Sequence, residues 1–119
     1  MPDEVVRKPA RDPQELEQLL VARQRVGDVE GMLALFEPDA VIDVGEGRLI
    51  GGREAIRAFY VEHVATGRKF ELGVQQPALI SGELALTSTR LPDGSVTAEV
   101  ARRQGDETWL WVIDRYSIA

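Results

Sequence analysis

The first third of the chain places apolar side chains at helical spacing between polar ones. Asp12 offers a side-chain oxygen at an N-cap, and Pro13 suits a first helical position. The residues that follow predict a helix over 13–26 that ends at Gly27. Its apolar stripe consists of Leu16, Leu19, Leu20 and Val26.

Two more segments show the same spacing. Asp28 caps a second predicted helix, which Pro38 and Asp39 stop because proline lacks the next helical donor. Gly51-Gly52 opens a third, for which Gly67 suits the left-handed C-terminal position. Short strands are predicted between them over 40–44 and 48–50. The apolar faces are Val29, Met32, Leu33 and Phe36 on the second helix, and Ala55, Ile56, Phe59, Tyr60 and Val64 on the third.

From residue 69 onward the pattern is typical of strands separated by turns. Pro92-Asp93-Gly94 is a strong hairpin signal, and Ser81-Gly82 and Gly105-Asp106 mark further turns. Strands are predicted over 70–74, 78–80, 84–91, 95–103 and 109–118. Three helices followed by a mostly antiparallel meander predict an α+β fold with the helices on one face of the sheet.

Composition supports one globular domain. The chain has 119 residues, of which 44% are hydrophobic and 29% charged, and a chain of this length can bury a real core. Residues 1–11 mix charges with prolines, so we predict a flexible tail there and a single domain over 12–119.

Charge and residue usage argue against several classes of function. The net charge of −6 disfavours nucleic acid, and one histidine with no cysteine disfavours a metal site. The start is polar, and the longest apolar run is strand-sized, so neither a signal peptide nor a membrane span is predicted. We expect a cytoplasmic protein with no cofactor.

Four segments, in order, carry a resemblance to a known superfamily. They are Gly27-Asp28-Val29-Glu30, Phe36-Glu37-Pro38-Asp39-Ala40-Val41, Gly52 to Tyr60, and the ending from Arg102-Arg103 through Trp109 to Ser117. The chain resembles NTF2-like or SnoaL-like proteins, which include ketosteroid isomerases and SnoaL-type polyketide cyclases. The resemblance implies a cone with a pocket between three N-terminal helices and a curved sheet, and a small hydrophobic ligand.

The resemblance also implies a homodimer through the outer face of the sheet. Residues 109–113 are apolar at every position, which a sheet with one wet face would not need. Simple alternation along this strand places Trp109, Trp111 and Ile113 on the outer face, where an exposed apolar patch marks an interface. The alternative is that the tail or a loop covers them.

Asp114 is the first candidate for acid–base chemistry. It interrupts an apolar strand, shares a face with Val112 and Tyr116, and the neighbouring strand can bring Glu99 close to it. Two carboxyls in one dry pocket would have separated pKa values, which suits acid–base work. Glu99 also aligns with the oxyanion-stabilising acid of the resembled isomerases. The alternatives are an exposed Glu99, or a buried ion pair in which Arg90 neutralises one acid.

Asp43 is the second candidate for the proton-transferring group. It lies nine residues before Gly52, as the general base does in the resembled isomerases, but it is one residue early when counted from Asp39-Ala40. A slip of one residue turns a strand side chain to the opposite face. Asp43 is therefore either a pocket base or a solvent-facing residue at a strand end.

The remaining candidates differ from the residues of the resembled enzymes. Leu20 stands where the isomerases have an oxyanion-binding tyrosine, and His63 is the only histidine, whereas the cyclases use one beside their aspartate. Tyr60 and Tyr116 could donate to a ligand, but aromatic residues at such spacing are commonly core. The candidate pocket is completed by Tyr116, Arg90, Tyr60, His63, Phe59, Leu20 and Val112.

Two functions therefore stay open. In one, Asp114 or Asp43 moves a proton on a small hydrophobic carbonyl compound, with Glu99, Tyr116 or Arg90 polarising its oxygen, in an isomerase, cyclase or dehydratase reaction. In the other, the same fold is a non-catalytic module that binds a ligand or a protein.

Overall fold

The computed structural model describes residues 6–118, which form one α+β unit. The helices are α1 (Glu15–Arg25), α2 (Val29–Leu33) and α3 (Arg53–Ala65). The strands are β1 (Phe36–Asp43), β2 (Leu49–Gly51), β3 (Val74–Gln75), β4 (Leu79–Ser81), β5 (Leu84–Thr87), β6 (Thr89–Arg90), β7 (Ala98–Arg103) and β8 (Trp109–Arg115).

The strands form a curved, mostly antiparallel sheet. Its six strands follow the order β2-β1-β8-β7-β5-β4, and only the central β1–β8 pair is parallel. The strands β3 and β6 form a separate two-stranded piece. The predicted α+β class with a mostly antiparallel sheet is confirmed.

Helix α2 is shorter than the sequence pattern predicts. It ends at Leu33, and Phe36, which was expected on its apolar face, instead begins β1 opposite Trp111 of β8. Asp28 caps α2 as predicted, because its side chain accepts a hydrogen bond from the Gly31 amide. Phe36 is buried in either setting, so its apolar character could not distinguish a helix face from a strand.

The core lies between the helices and one face of the sheet. Phe36 is at its centre, with its ring centroid 5.2 Å from that of Trp111 and 6.1 Å from that of Tyr60. Leu16 of α1 and Ile56 of α3 are fully buried against this group. Tertiary packing of the apolar helix faces, rather than helix propensity alone, therefore holds the helices in place.

A β-bulge in β8 reverses the side-chain directions that simple alternation predicts. Val100 of β7 pairs with Ile113 and Ala101 pairs with Trp111, so Val112 is an extra residue. Trp109 and Trp111 point into the core and are 6% and 1% exposed, while Ile113 points outward and is 50% exposed. The prediction that both tryptophans lie on the outer face is therefore wrong.

The outer face of the sheet nevertheless carries an apolar row. Cross-strand pairing aligns its members one beside the next over five strands, from β1 to β4. Four of its five members are exposed, and Val100 of β7 is half-buried. We call this set the outer apolar row: Val41, Ile113, Val100, Leu86 and Leu79.

Part of the segment predicted as a flexible tail packs on the domain. The Arg7 guanidinium donates to both carboxylate oxygens of Asp28, at 2.8 and 2.7 Å. Ala10 is buried, and its carbonyl accepts a hydrogen bond from the Trp109 amide at 2.9 Å. Residues 1–5 lie outside the described part of the chain. Between 6 and 118, no helix is long and apolar enough to cross a membrane.

Candidate functional site

A cavity of about 480 Å³ opens between the helices and the concave face of the sheet. Helices α1 and α3 form one wall, strands β1, β7 and β8 form the opposite wall, and two loops border its mouth. Its polar and charged lining residues are Glu17, Tyr60, His63, Arg68, Lys69, Glu71, Asp93, Thr97, Glu99, Asp114 and Tyr116; its apolar ones are Leu20, Ile42, Val44, Phe59, Phe70, Leu91 and Pro92.

The sheet brings two predicted acids together on this inner face. Glu99 of β7 pairs directly with Asp114 of β8, which lies beside Ile42 of β1. Directly opposed side chains on one face lie about 5 Å apart at Cβ. The bulge at Val112 is what allows Asp114 to face inward while Trp111 also does, so the two carboxyls share the cavity with the core aromatics.

Glu99 is held by hydroxyl groups rather than by a cation. Its side chain is buried at 3% exposure and accepts a hydrogen bond of 2.7 Å from the Thr87 hydroxyl. Burial raises the pKa of the Glu99 carboxyl, while the hydroxyls of Thr97 and Thr87 act in the opposite direction by stabilising the ionised form. Among Glu17, Glu99 and Asp114, Glu99 therefore has the surroundings that best support a negative charge.

The ionised forms of Asp114 and Glu17 are less stabilised by their surroundings than that of Glu99. Burial raises the pKa of Asp114 well above its ordinary value, and the charges of Glu99, Glu17 and Asp43 add to this effect. Burial, and then the charge of Glu99, raise the pKa of Glu17 to about 7. Among residues 6–118, neither carboxyl has a hydrogen-bond or ion-pair partner. The protonated form of Asp114 is thus favoured, and near pH 7 Glu17 exists in both forms.

Tyr60 supplies a further unpaired polar group. Its side chain is 3% exposed and lines the cavity, yet its hydroxyl has no hydrogen-bond partner in the described chain. Burial raises the pKa of this hydroxyl, followed by the charges of Asp114, Glu17 and Glu99, so it stays protonated. Since buried hydroxyls normally have a partner, this one is available to a bound molecule.

A buried glutamine fixes the loop at the mouth of the cavity. The Gln24 amide of α1 donates to the Arg68 carbonyl at 2.6 Å and accepts from the Phe70 amide at 2.8 Å. The same amide nitrogen lies 3.4 Å from Nδ1 of His63, an arrangement that suits a neutral imidazole accepting at Nδ1. Burial, and then the charge of Arg68, lower the pKa of His63.

Charges of both signs border the mouth. Arg68 and Lys69 are exposed there, and so are Glu71 and Asp93. Oδ1 of Asp93 accepts hydrogen bonds from the Ser95 amide nitrogen at 2.9 Å and from the Ser95 hydroxyl at 2.6 Å. Within residues 6–118 no cluster of three or more histidine, aspartate or glutamate side chains is arranged to hold a metal ion.

Seven of the ten sequence-predicted site residues line the cavity, and three do not. Asp43 lies on the opposite face of β1 from Ile42, where it accepts from the Gly45 amide at 2.9 Å and pairs with Arg115 at 3.4 Å. This position matches the second alternative, a residue at a strand end. Arg90 is exposed. Thr87 and Thr89 are buried on the inner face, and alternation along the chain turns the next residue, Arg90, outward.

The third exception is Val112. As the bulged residue of β8, it has no directly opposed partner on β7 and does not line the cavity. The face that Val112, Asp114 and Tyr116 were expected to share is therefore reduced to Asp114 and Tyr116. The residues of that prediction that line the cavity are Asp114, Glu99, Tyr116, Tyr60, His63, Phe59 and Leu20.

Of the cavity residues that were not predicted from the sequence, Glu17 is the one with the most strongly raised pKa. The helical stripe of α1 assigns Leu16 and Leu20 to the buried side, and Glu17 borders that stripe. One signal was present: Glu17 lies one turn before Leu20, so both side chains extend over the same patch. Glu17 and Leu20 both line the cavity, and Glu17 is half-buried there.

Solved structures with the same fold are numerous. A provisionally named dehydratase of the NTF2-like family from Streptomyces avermitilis matches with a TM-score of 0.70 and 17% identity, over 86% of this chain and 90% of that one. A protein with a cystatin-like fold from Caulobacter vibrioides matches with a TM-score of 0.71 and 19% identity, over 86% and 83%. An NTF2-like protein from Novosphingobium aromaticivorans matches with a TM-score of 0.64 and 21% identity, over 85% and 75%.

These identities establish the fold and nothing finer. A search of curated protein sequences gives no match. The family model for the SnoaL-like domain, in contrast, matches residues 17–119, which include all but the first two residues of α1, every later element and all the cavity carboxyls. The chain therefore belongs to the SnoaL-like domain family and has the NTF2-like fold.

Proposed function

We propose that the cavity binds a small, largely apolar carbonyl compound and transfers a proton on it. The observation that carries this proposal is a set of four groups that line the cavity inside its mouth: Glu17, Glu99, Asp114 and Tyr60. All of them except Glu99 have no partner in the described chain. Groups of this kind with separated pKa values are what acid–base catalysis uses.

The roles follow from the electrostatics of each group. Glu17, with a pKa of about 7, is the base: its carboxylate takes a proton from the carbon next to the carbonyl. The electron pair moves onto the carbonyl oxygen as an enolate, and the neutral Asp114 carboxyl and Tyr60 hydroxyl donate hydrogen bonds to that oxygen. Return of the proton to a different carbon gives isomerisation; loss of hydroxide from the next carbon, protonated to water, gives dehydration.

Proton abstraction from 5-nitrobenzisoxazole tests this proposal without knowledge of the natural substrate. A carboxylate base removes the proton at C3 of its isoxazole ring, a nitrile forms as the N–O bond breaks, and the product is a coloured phenolate. We expect catalysis above the buffer rate, which rises with pH through about 7. The Glu17→Gln variant is expected to lose at least about tenfold in rate, because a general base contributes that much or more.

Glu62→Gln is the matched control, since Glu62 is an exposed glutamate on α3. It should keep the wild-type rate. A wild-type rate equal to the buffer rate, or a Glu17→Gln rate equal to that of wild type, would contradict the assignment. Binding of the probe without turnover would instead support the non-catalytic ligand-binding function.

The predicted homodimer remains a proposal, now resting on the outer apolar row instead of the tryptophans. Ile113, Leu86 and Leu79 are 50%, 46% and 67% exposed on one sheet face, which is the kind of patch that marks an interface. In a two-fold dimer, Ile113→Lys would bring two like charges into that interface. We expect it to weaken association by at least about tenfold, measured by light scattering over a dilution series.

Val61→Lys is the control for this experiment. Val61 is 53% exposed on α3 and is not part of the sheet, so the control adds the same charge at similar exposure outside the outer apolar row. A monomeric wild-type protein would overturn the dimer proposal, as would equal weakening by Ile113→Lys and Val61→Lys.

A further inference from the structure

Glu99 is a buried cavity carboxyl to which the proposed proton transfer gives no role. It is 3% exposed, and the Thr87 hydroxyl donates to it at 2.7 Å. No lysine, arginine or histidine in the described chain forms an ion pair with it. A buried carboxylate without a counterion is unfavourable, so a positive group that enters the cavity would be stabilised there.

We propose that the ligand of this cavity is an organic cation, whose protonated amine pairs with Glu99 while its apolar body lies among the aromatic side chains. This proposal deepens the function above and rests on the cavity being a ligand site. The substrate class it names is a carbonyl compound that also bears a basic amine. Glu17 and Asp114 remain free for proton transfer.

The aromatic lining provides a second and independent reason for a cation. Phe59, Tyr60, Phe70 and Tyr116 all line the cavity, and the faces of aromatic rings attract organic ammonium groups. The Tyr60 hydroxyl, unpartnered in the described chain and 3% exposed, is a polar group in the same cavity that can accept from an ammonium N–H. Carboxylates, aromatic faces and a free hydroxyl together match an amine better than an anion.

The other charged groups around the cavity do not reverse this preference. From α1, Glu17 adds negative charge when ionised, and from β8 so does Asp114. From α3, His63 adds little positive charge, because burial and the charge of Arg68 lower its pKa and favour the neutral imidazole. At the mouth, Arg68 and Lys69 are offset by Glu71 and Asp93, and the remaining titratable lining group is Tyr116 of the C-terminal segment.

A charge series on one apolar body tests the proposal directly. The probes are 1-adamantylammonium, 1-adamantanol and 1-adamantanecarboxylate, which share the adamantane cage and differ in charge. Calorimetric titration near pH 8 is expected to show the ammonium binding at least about tenfold more tightly than the alcohol, with no measurable binding of the carboxylate. An alcohol that binds as tightly as the ammonium, or a carboxylate that binds best, would overturn the proposal.

The pH dependence provides a second readout on the wild-type protein. A bound ammonium favours ionised neighbours, so Glu17, with a pKa of about 7, must release its proton. Between about pH 6 and about pH 8 the affinity for the ammonium should rise about tenfold. The proton released on binding is detected by calorimetric titration in two buffers of different ionisation enthalpy. The affinity for the alcohol should not rise. Equal pH dependence for both probes would contradict the pairing.

The Glu99→Gln variant isolates the pairing residue, since glutamine keeps the size of the side chain and can still accept from Thr87. It should remove the preference for the ammonium and leave the alcohol affinity within about twofold of wild type, while Glu62→Gln changes neither. An unchanged preference in Glu99→Gln would overturn the proposal. A wild-type protein that turns over 5-nitrobenzisoxazole and binds the alcohol as tightly as the ammonium would also overturn it. The proposed function would then still stand.

Discussion

Replacing Trp111 by alanine should lower the free energy of unfolding by about 3–5 kcal/mol, the usual cost of removing a large aromatic side chain from a packed core. Trp111 is 1% exposed, and its ring centroid lies 5.2 Å from that of Phe36. Domains of this size have a total stability of about 5–15 kcal/mol. The variant should therefore unfold at a much lower urea concentration, or fail to fold.

Ile113→Ala on the same strand is the comparison that gives this result its meaning. Ile113 is 50% exposed on the outer face, so in a monomer its loss should reduce stability by no more than about 1 kcal/mol. Any additional effect from a dimer would depend on protein concentration, whereas the Trp111 effect would not. A small or concentration-dependent effect of Trp111→Ala would contradict its place in the core and favour an outer position.

The bulge explains why sequence reasoning assigned the wrong face to these tryptophans. A strand that is apolar at every position, as from Trp109 to Ile113, gives no signal of which face is buried. Simple alternation then fixes the face of every residue once the face of one is chosen. The extra residue at Val112 breaks this alternation, so the residues before it point to the faces opposite to those predicted. Only the pairing with β7 reveals that residue, and pairing is a long-range property.

The same reasoning succeeded where a local signal was strong. Asp114 is a lone acid in an apolar strand, and its nearness to Glu99 follows from the order of two antiparallel strands joined by a short turn. Their direct pairing depends on the bulge at Val112. Asp43 and Arg90 depended on a register that a slip of one residue reverses, and both lie outside the cavity. Glu17 was missed because the helical pattern shows which side of α1 is apolar, but not where the sheet curves away from it.

The stability of the protein should fall as the pH rises from about 5 to about 8, and Glu17 should account for about 2–3 kcal/mol of that fall. The pKa of Glu17 is about 7 in the folded protein, above its ordinary value of 4.5. Between these two values the folded state binds more protons than the unfolded state, so raising the pH favours unfolding. Above about 7 the whole penalty of the buried charge is present.

Glu17→Gln tests this directly, because glutamine keeps the size of the side chain and cannot ionise. Urea unfolding should give nearly equal stabilities for variant and wild type near pH 5, and near pH 8 a variant that is more stable by about 2–3 kcal/mol. Glu62→Gln, which removes an exposed carboxylate from α3, should follow the wild-type curve at both values. Parallel curves for Glu17→Gln and wild type would show that Glu17 titrates as an exposed residue. The base proposed for proton transfer would then be wrongly assigned, since its suitability depends on the same burial that makes the folded protein less stable at high pH.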